Sequence, residues 1–159
     1  MGEHDFSAYQ IAEMAMTVEE AGVRFYEMLS ILATDGKLKD IFMILSKAEV
    51  QHKDIFRSIA DSLRNDDPTE YSIDLSSLIE THIDTLKKAA FSMQSFSKVP
   101  TNIQDAVEIA INTEKEAICI YTEMYATFID KFHGVLENII NEEKKHLEIL
   151  TDVKSKLPS

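Results

Sequence analysis

The chain has 159 residues, 45% of them hydrophobic and 28% charged, which is the size of one domain with a single sizeable core. Its net charge of −12 argues against nucleic acid and anionic membrane surfaces, which reward basic patches, and is compatible with attracting cations. One cysteine, Cys119, excludes an intramolecular disulfide framework and any Cys-x-x-Cys metal site, and it fits a cytoplasmic setting.

No stretch approaches the ~18 apolar residues of a membrane span. The opening "MGEHDFSAYQ" has neither the basic region nor the apolar run of a signal peptide, so none is expected. Four glycines and three prolines suggest few turns and long helices.

The apolar spacing predicts five helices. The first runs from about Ser7, a plausible N-cap, to Ala33, with Ile11, Ala15, Val18, Gly22, Phe25, Leu29 and Leu32 inward; "TDG" at 34–36 is expected to stop it. The second runs from about Lys37 to Arg64, with Leu38, Ile41, Phe42, Leu45, Phe56, Ile59 and Leu63 inward, and "NDDPTE" at 65–70 ends it. A crossover helix is expected from about Leu75 to Phe96, and "SKVPTN" at 97–102 is the next break. Another helix runs from about Ile103 to Ile129, lined by Val107, Ala110, Ile111, Ile118, Tyr121, Tyr125 and Phe128. "HG" at 133–134 reads as a tight turn, and the last helix reaches about Lys156 with Leu136, Ile139, Leu150 and Val153 inward.

Short turns make two antiparallel hairpins of the first two and last two helices, and the long connection must cross between them. The expected fold is therefore all-α: a ferritin-like four-helix bundle with a helical crossover, as one domain over 1–159. The hairpins also resemble each other. "EEAGVRFYEM" (19–28) matches "EKEAICIYTEM" (114–124), and "FMILSKAEVQH" (42–52) matches "LENIINEEKKH" (136–146), which reads as a duplicated helix pair.

Six polar residues stand where this pattern asks for apolar ones. Glu49 and His52 interrupt the stripe of the second helix, and Glu143 and His146 that of the last. Glu19 falls between Ala15 and Gly22, and Glu114 between Ile111 and Ile118. Lys47, Lys53, Asp54 and Arg57 take the opposite face, as do Lys144, Lys145 and Glu148. Each of the six lies near the middle of its helix, where antiparallel helices meet at one height. Four carboxylates and two imidazoles would then face one another in a low-dielectric core. Two divalent cations cancel four carboxylates. Two glutamates could bridge the ions and the other two could each cap one. Oxygen plus imidazole ligation suits iron, manganese or zinc rather than a soft-metal site. Without metal, the pattern would instead be two buried His–Glu hydrogen bonds and two water-linked glutamates.

These residues resemble the ferritin-like di-iron carboxylate proteins, whose rule is one Glu on each of two helices and Glu-x-x-His on each of the other two. "E-x-x-G-x-x-F-Y" (19–26), "E-x-x-A-I-x-x-Y" (114–121) and "YTEMY" (121–125) are similar to the rubrerythrin-type diiron domains, over roughly 7–156. The resemblance implies that Glu19, Glu49, His52, Glu114, Glu143 and His146 are metal ligands for two ions. Such proteins reduce hydrogen peroxide or dioxygen, or oxidise ferrous iron. The chain departs from the family in three places. One cysteine cannot make a rubredoxin-like module, so electrons come from a donor protein or from Fe(II) itself. Ala117 stands where rubrerythrins carry a seventh, glutamate ligand, and Glu116 is one residue off. Ala48 and Glu142 stand where many relatives place an Asp that orients a histidine, leaving Glu142 as the one carboxylate able to do so.

Tyr26 and Tyr121, two turns past Glu19 and Glu114, are expected to hydrogen-bond ligand carboxylates across the bundle. Gly22 and Ala117 lack bulk where a small oxidant would enter, although close helix packing also explains small residues there. His82 reads as a satisfied histidine on the crossover helix, His4 and His133 as terminal and turn residues. Cys119 reads as a small core or interface residue, and Met14, Met28, Met43, Met93 and Met124 as core fillers. A homodimer is expected. Iron storage or delivery would instead need a hollow shell of subunits, and a metal-free acidic helical adaptor would be indifferent to chelators.

Overall fold

The computed structural model describes residues 5–64, 70–72, 103–127 and 130–158. The crossover helix expected over 75–96, with His82 and Met93, lies outside them, as do His4 and Phe128. Among the described residues stand four helices: α1 (Ala8–Leu32), α2 (Gly36–Leu63), α3 (Ile103–Thr127) and α4 (His133–Lys156). A two-stranded antiparallel ribbon pairs β1 (Asp5–Ser7) with β2 (Glu70–Ser72), Phe6 opposite Tyr71. The ribbon had no sequence signal, since three-residue strands paired across sixty positions leave no local period.

Local chemistry explains the helix ends. The Ser7 hydroxyl accepts from the Gln10 amide at 3.2 Å while the Gln10 side chain accepts from the Ser7 amide at 2.8 Å, a capping box at the start of α1. The "TDG" segment does not simply stop α1. Asp35 caps the next helix, accepting from the Leu38 amide at 3.0 Å, and Gly36 is the first residue of α2. "HG" at 133–134 is not the turn either. The turn is a 3-10 segment at Asp130–Phe132, and His133 and Gly134 open α4. No described glycine has positive φ, so neither residue is needed for backbone freedom.

α1 pairs with α2 and α3 with α4, and the hairpins face each other through two apolar layers. One layer joins Ile11, Ala15 and Val18 of α1 to Phe56 and Ile59 of α2, Ile120 and Met124 of α3, and Leu136 and Ile139 of α4. The other joins Phe25 and Leu29 to Phe42 and Leu45, Val107 and Ala110, and Leu150 and Val153. Every helix passes from one layer to the other, and the six polar residues sit at the crossing. Each large side chain buried in the layers contributes about 1.5–3 kcal/mol. Together the layers hold in place a polar belt that would cost several kcal/mol per unpaired ion.

The α3 stripe needs correction beyond Glu114. Ala117, Ile120, Tyr121 and Met124 are the buried positions, whereas Ile118 is half-buried and Tyr125 exposed. From Tyr121 the helix turns inward at the third residue rather than the fourth. The Tyr125 ring therefore lies outside, stacked on His133 with centroids 4.2 Å apart. The same rotation places Cys119 on the surface, not in the core. Met43 is likewise exposed beside buried Phe42, while Met124 is buried and Met14 and Met28 pack at the layer edges.

Candidate metal centre

The structure brings all six polar residues together, and all are buried, His52 completely. They form two sets of four: Glu19, Glu49, His52 and Glu143, and Glu49, Glu114, Glu143 and His146. In each set one candidate ligand atom per residue lies within 4.8 Å of every other. Glu49 and Glu143, the two Glu-x-x-His carboxylates, belong to both sets. Glu19 and Glu114 each belong to one.

Helical spacing aims these groups. A glutamate and a histidine three apart share a face, so Glu49 with His52 and Glu143 with His146 project together. His52 Nδ1 lies 3.0 Å from Glu143 Oε1, 3.5 Å from Glu49 Oε2 and 3.6 Å from Glu19 Oε2. His146 Nδ1 lies 2.9 Å from Glu143 Oε2, 3.5 Å from Glu49 Oε1 and 3.7 Å from Glu114 Oε1. The imidazole centroids are 5.7 Å apart. Yet His52 Nδ1, His146 Nδ1 and Glu143 Oε2 are buried without a hydrogen-bond partner. Buried polar atoms are nearly always partnered. Three orphans converging from two hairpins, all of them metal-ligating atom types, fit a centre completed by cations.

Outer contacts hold the belt in shape. The Tyr26 hydroxyl donates to Glu114 and the Tyr121 hydroxyl to Glu19, each reaching across to the other hairpin. Burial pushes both phenols up, with nearby carboxylates adding to it, so they remain donors. Glu142 Oε2 lies 2.7 Å from His52 Nε2. Beside the belt, Lys53 donates to Glu20, pinning α2 to α1.

Protonation in the metal-free cluster follows the crowding. Burial, reinforced by neighbouring carboxylates, holds Glu19 and Glu114 well above the ordinary range. Burial would raise Glu49 too, but Glu19, His146 and His52 outweigh it and hold that carboxylate low. Burial would lower the imidazoles, but Glu143, Glu19 and Glu49 raise His52, and Glu114, Glu143 and Glu49 push His146 up to about 12. Protons thus stand in for cations.

Between α1 and α3 a cavity of ≈ 20 Å³ reaches the belt, lined among others by Gly22, Thr113, Ala117 and Tyr121. That is room for about one water-sized molecule. A Cβ on Gly22 would stand 3.3 Å from Glu49 Cγ, so the absent side chain also makes room for a shared carboxylate. Glu116 belongs to neither set of four. Sequence reasoning missed Thr113, buried beside Glu114 with its hydroxyl donating to Ala110 O at 2.8 Å, and Ser46, buried and donating to Val23 O at 3.4 Å across to α1. Thr113 could have been found by carrying the hairpin match one residue back, to Val18.

The rubrerythrin family model matches residues 10–154. The chain belongs to the rubrerythrin family. Its fold is similar to the crystal structure of a candidate ferritin-like diiron-carboxylate protein from Thermotoga maritima, with TM-score 0.72 and 23% identity over 98% of this chain and 99% of that one. No curated protein matches the chain. The family membership and the buried Glu/His belt agree on a dinuclear metal site. Ala117, where the resemblance leads one to expect a seventh carboxylate, lines the cavity. No described helix is long and apolar enough to cross a membrane.

Proposed function

We propose that Glu19, Glu49, His52, Glu114, Glu143 and His146 hold two metal ions, iron before manganese or zinc. In this reading the centre is an oxidoreductase site that reduces hydrogen peroxide or dioxygen, or oxidises Fe(II). The observation that carries it is the convergence of the unpartnered Nδ1 atoms of His52 and His146 on Glu143 inside a buried belt of four carboxylates. Two divalent ions offset the four carboxylates, and the mixed oxygen and nitrogen donor set suits first-row metals.

When bound, a ferrous pair would supply the two electrons that splitting the peroxide O–O bond requires. The chain's own groups do the rest. Glu49 and Glu143 face both positions, and Glu19 and Glu114 close one each. Tyr26 and Tyr121 fix the orientation of those two outer carboxylates and remain protonated. The apolar layers above and below exclude bulk water, and the small space beside Gly22 and Ala117, room for about one water-sized molecule, opens onto the belt. In this reading the reductant is an external donor protein or Fe(II), and the setting is cytoplasmic. A homodimer suffices for this chemistry.

Anaerobic loading with Fe(II), followed by separate stopped-flow additions of hydrogen peroxide and dioxygen, tests the reading. Two irons per chain and a faster reaction with peroxide are expected. Fewer than two irons would remove the dinuclear site. Stability indifferent to chelator would favour the metal-free adaptor, and a large shell by size exclusion would favour storage.

A further inference from the structure

Both histidines turn Nδ1 into the belt, so both present Nε2 outward, and the two outward edges differ. His52 Nε2 lies 2.7 Å from Glu142 Oε2, and its side chain has no solvent exposure. A carboxylate only accepts, so His52 Nε2 carries the hydrogen, and its Nδ1, facing inward, offers a lone pair to a cation that displaces its proton. Glu142 immediately precedes Glu143 on α4. The matching residue of the other hairpin, immediately before Glu49 on α2, is Ala48, whose methyl group accepts nothing. Among the described residues no acceptor reaches His146 Nε2, and the His146 side chain keeps 9% of its surface exposed. At this pair of positions the duplication does not repeat the carboxylate.

A carboxylate behind a ligating imidazole fixes its tautomer and ring angle and raises its basicity; removing such a partner typically costs about 10–100-fold in metal affinity. Glu142 is itself half-exposed, which places the expected effect toward the lower end.

We propose that the two halves of the centre are unequal: the Glu19, Glu49, His52 and Glu143 half fills first and holds its ion more tightly, the half containing His146 exchanges its ion more readily, and Glu142 against Ala48 sets the difference. Glu142 is a positioning residue, acting through His52. The inference rests on the dinuclear reading above. It gives the centre one resident ion and one that comes and goes, which suits Fe(II) arriving at the half nearer solvent.

The test is an anaerobic titration of metal-stripped full chain with Co(II), followed by calorimetry and by visible absorption. Two steps are expected, the first about 10-fold or more tighter than the second. Glu142→Ala should weaken the tighter step by about 10-fold and leave the other, while Glu142→Gln, which keeps an acceptor, should retain part of the gap. Ala48→Glu should tighten the weaker step. His146→Ala should keep the tighter step and His52→Ala should lose it, with far-UV circular dichroism confirming that each variant is folded. Two ions bound with indistinguishable affinity, or a Glu142→Ala isotherm identical to the parent, would overturn the inference and leave the dinuclear reading standing. Fewer than two ions per parent chain would overturn both.

Discussion

The Tyr26 hydroxyl donates to the Glu114 carboxylate across the bundle, and Tyr121 returns the bond to Glu19. The two bonds cross-link hairpins that otherwise meet through apolar contacts and the polar belt. Because both tyrosines are fully buried, removing a hydroxyl leaves a carboxylate oxygen without its donor. Tyr26→Phe and Tyr121→Phe should each lower stability by about 1–3 kcal/mol. Urea unfolding should show a lower midpoint with an unchanged slope. Midpoints equal to the parent would mean that these bonds carry no net stability.

Glu49 and Glu143 belong to both sets of four, whereas Glu19 and Glu114 belong to one each. Glu143→Ala should therefore abolish binding at both positions, while Glu19→Ala should leave about one ion per chain. Metal analysis after gel filtration reads the difference. Equal losses in the two variants would show that the shared geometry is not the bound one.

Gly22 and Ala117 line the same cavity but should not behave alike. Ala117→Leu fills the space and should slow oxidation by peroxide about 10-fold or more while both ions stay bound. Even Gly22→Ala places a Cβ 3.3 Å from Glu49 Cγ and should lower metal affinity first. Stopped-flow rates alongside metal content separate the outcomes. An unchanged rate in Ala117→Leu would dismiss the cavity as the route of entry.

Glu19 and Glu114 titrate above their ordinary value in the folded, metal-free chain, and His146 is pushed up to about 12. The folded state therefore binds more protons than the unfolded state once pH exceeds the ordinary carboxylate and imidazole values. The stabilisation from these groups is complete below those values and is lost as pH rises through the raised ones. Bound cations displace the same protons, so metal affinity should rise with pH. Thermal melts with chelator should fall between about pH 6 and pH 9, and the gap to the metal-loaded protein should widen. A gap independent of pH would show that loading releases no protons.

Much of the belt was legible because helical period is a strong signal. Glu49, His52, Glu143 and His146 each occupy an apolar slot, and a polar residue in such a slot marks itself. The duplication tied Glu19 and Glu114 to them. Errors arose where period alone had to choose between neighbours. Four-residue spacing from Tyr121 points Tyr125 inward, but Met124 at three-residue spacing fills that slot, and Cys119 turns outward with it. "HG" suggests a turn by composition, yet Gly134 lies within α4, and "TDG" ends α1 as expected while its Asp35 also caps α2. Caps and turns draw on the same residues, and only backbone hydrogen bonds tell them apart.

By itself the sequence determined which six side chains face inward, because a 3.6-residue period assigns a face to every position whatever the helix packs against. It also showed that Ala48 has no carboxylate to match Glu142. The tertiary structure alone decided that Glu49 and Glu143 are shared while Glu19 and Glu114 are not, and that Tyr26 reaches Glu114 rather than a carboxylate of its own hairpin. It also decided that Glu142 backs His52 on the opposite hairpin. Those pairings depend on the height and crossing of two antiparallel hairpins, which the packing of the apolar layers sets and no single helix encodes.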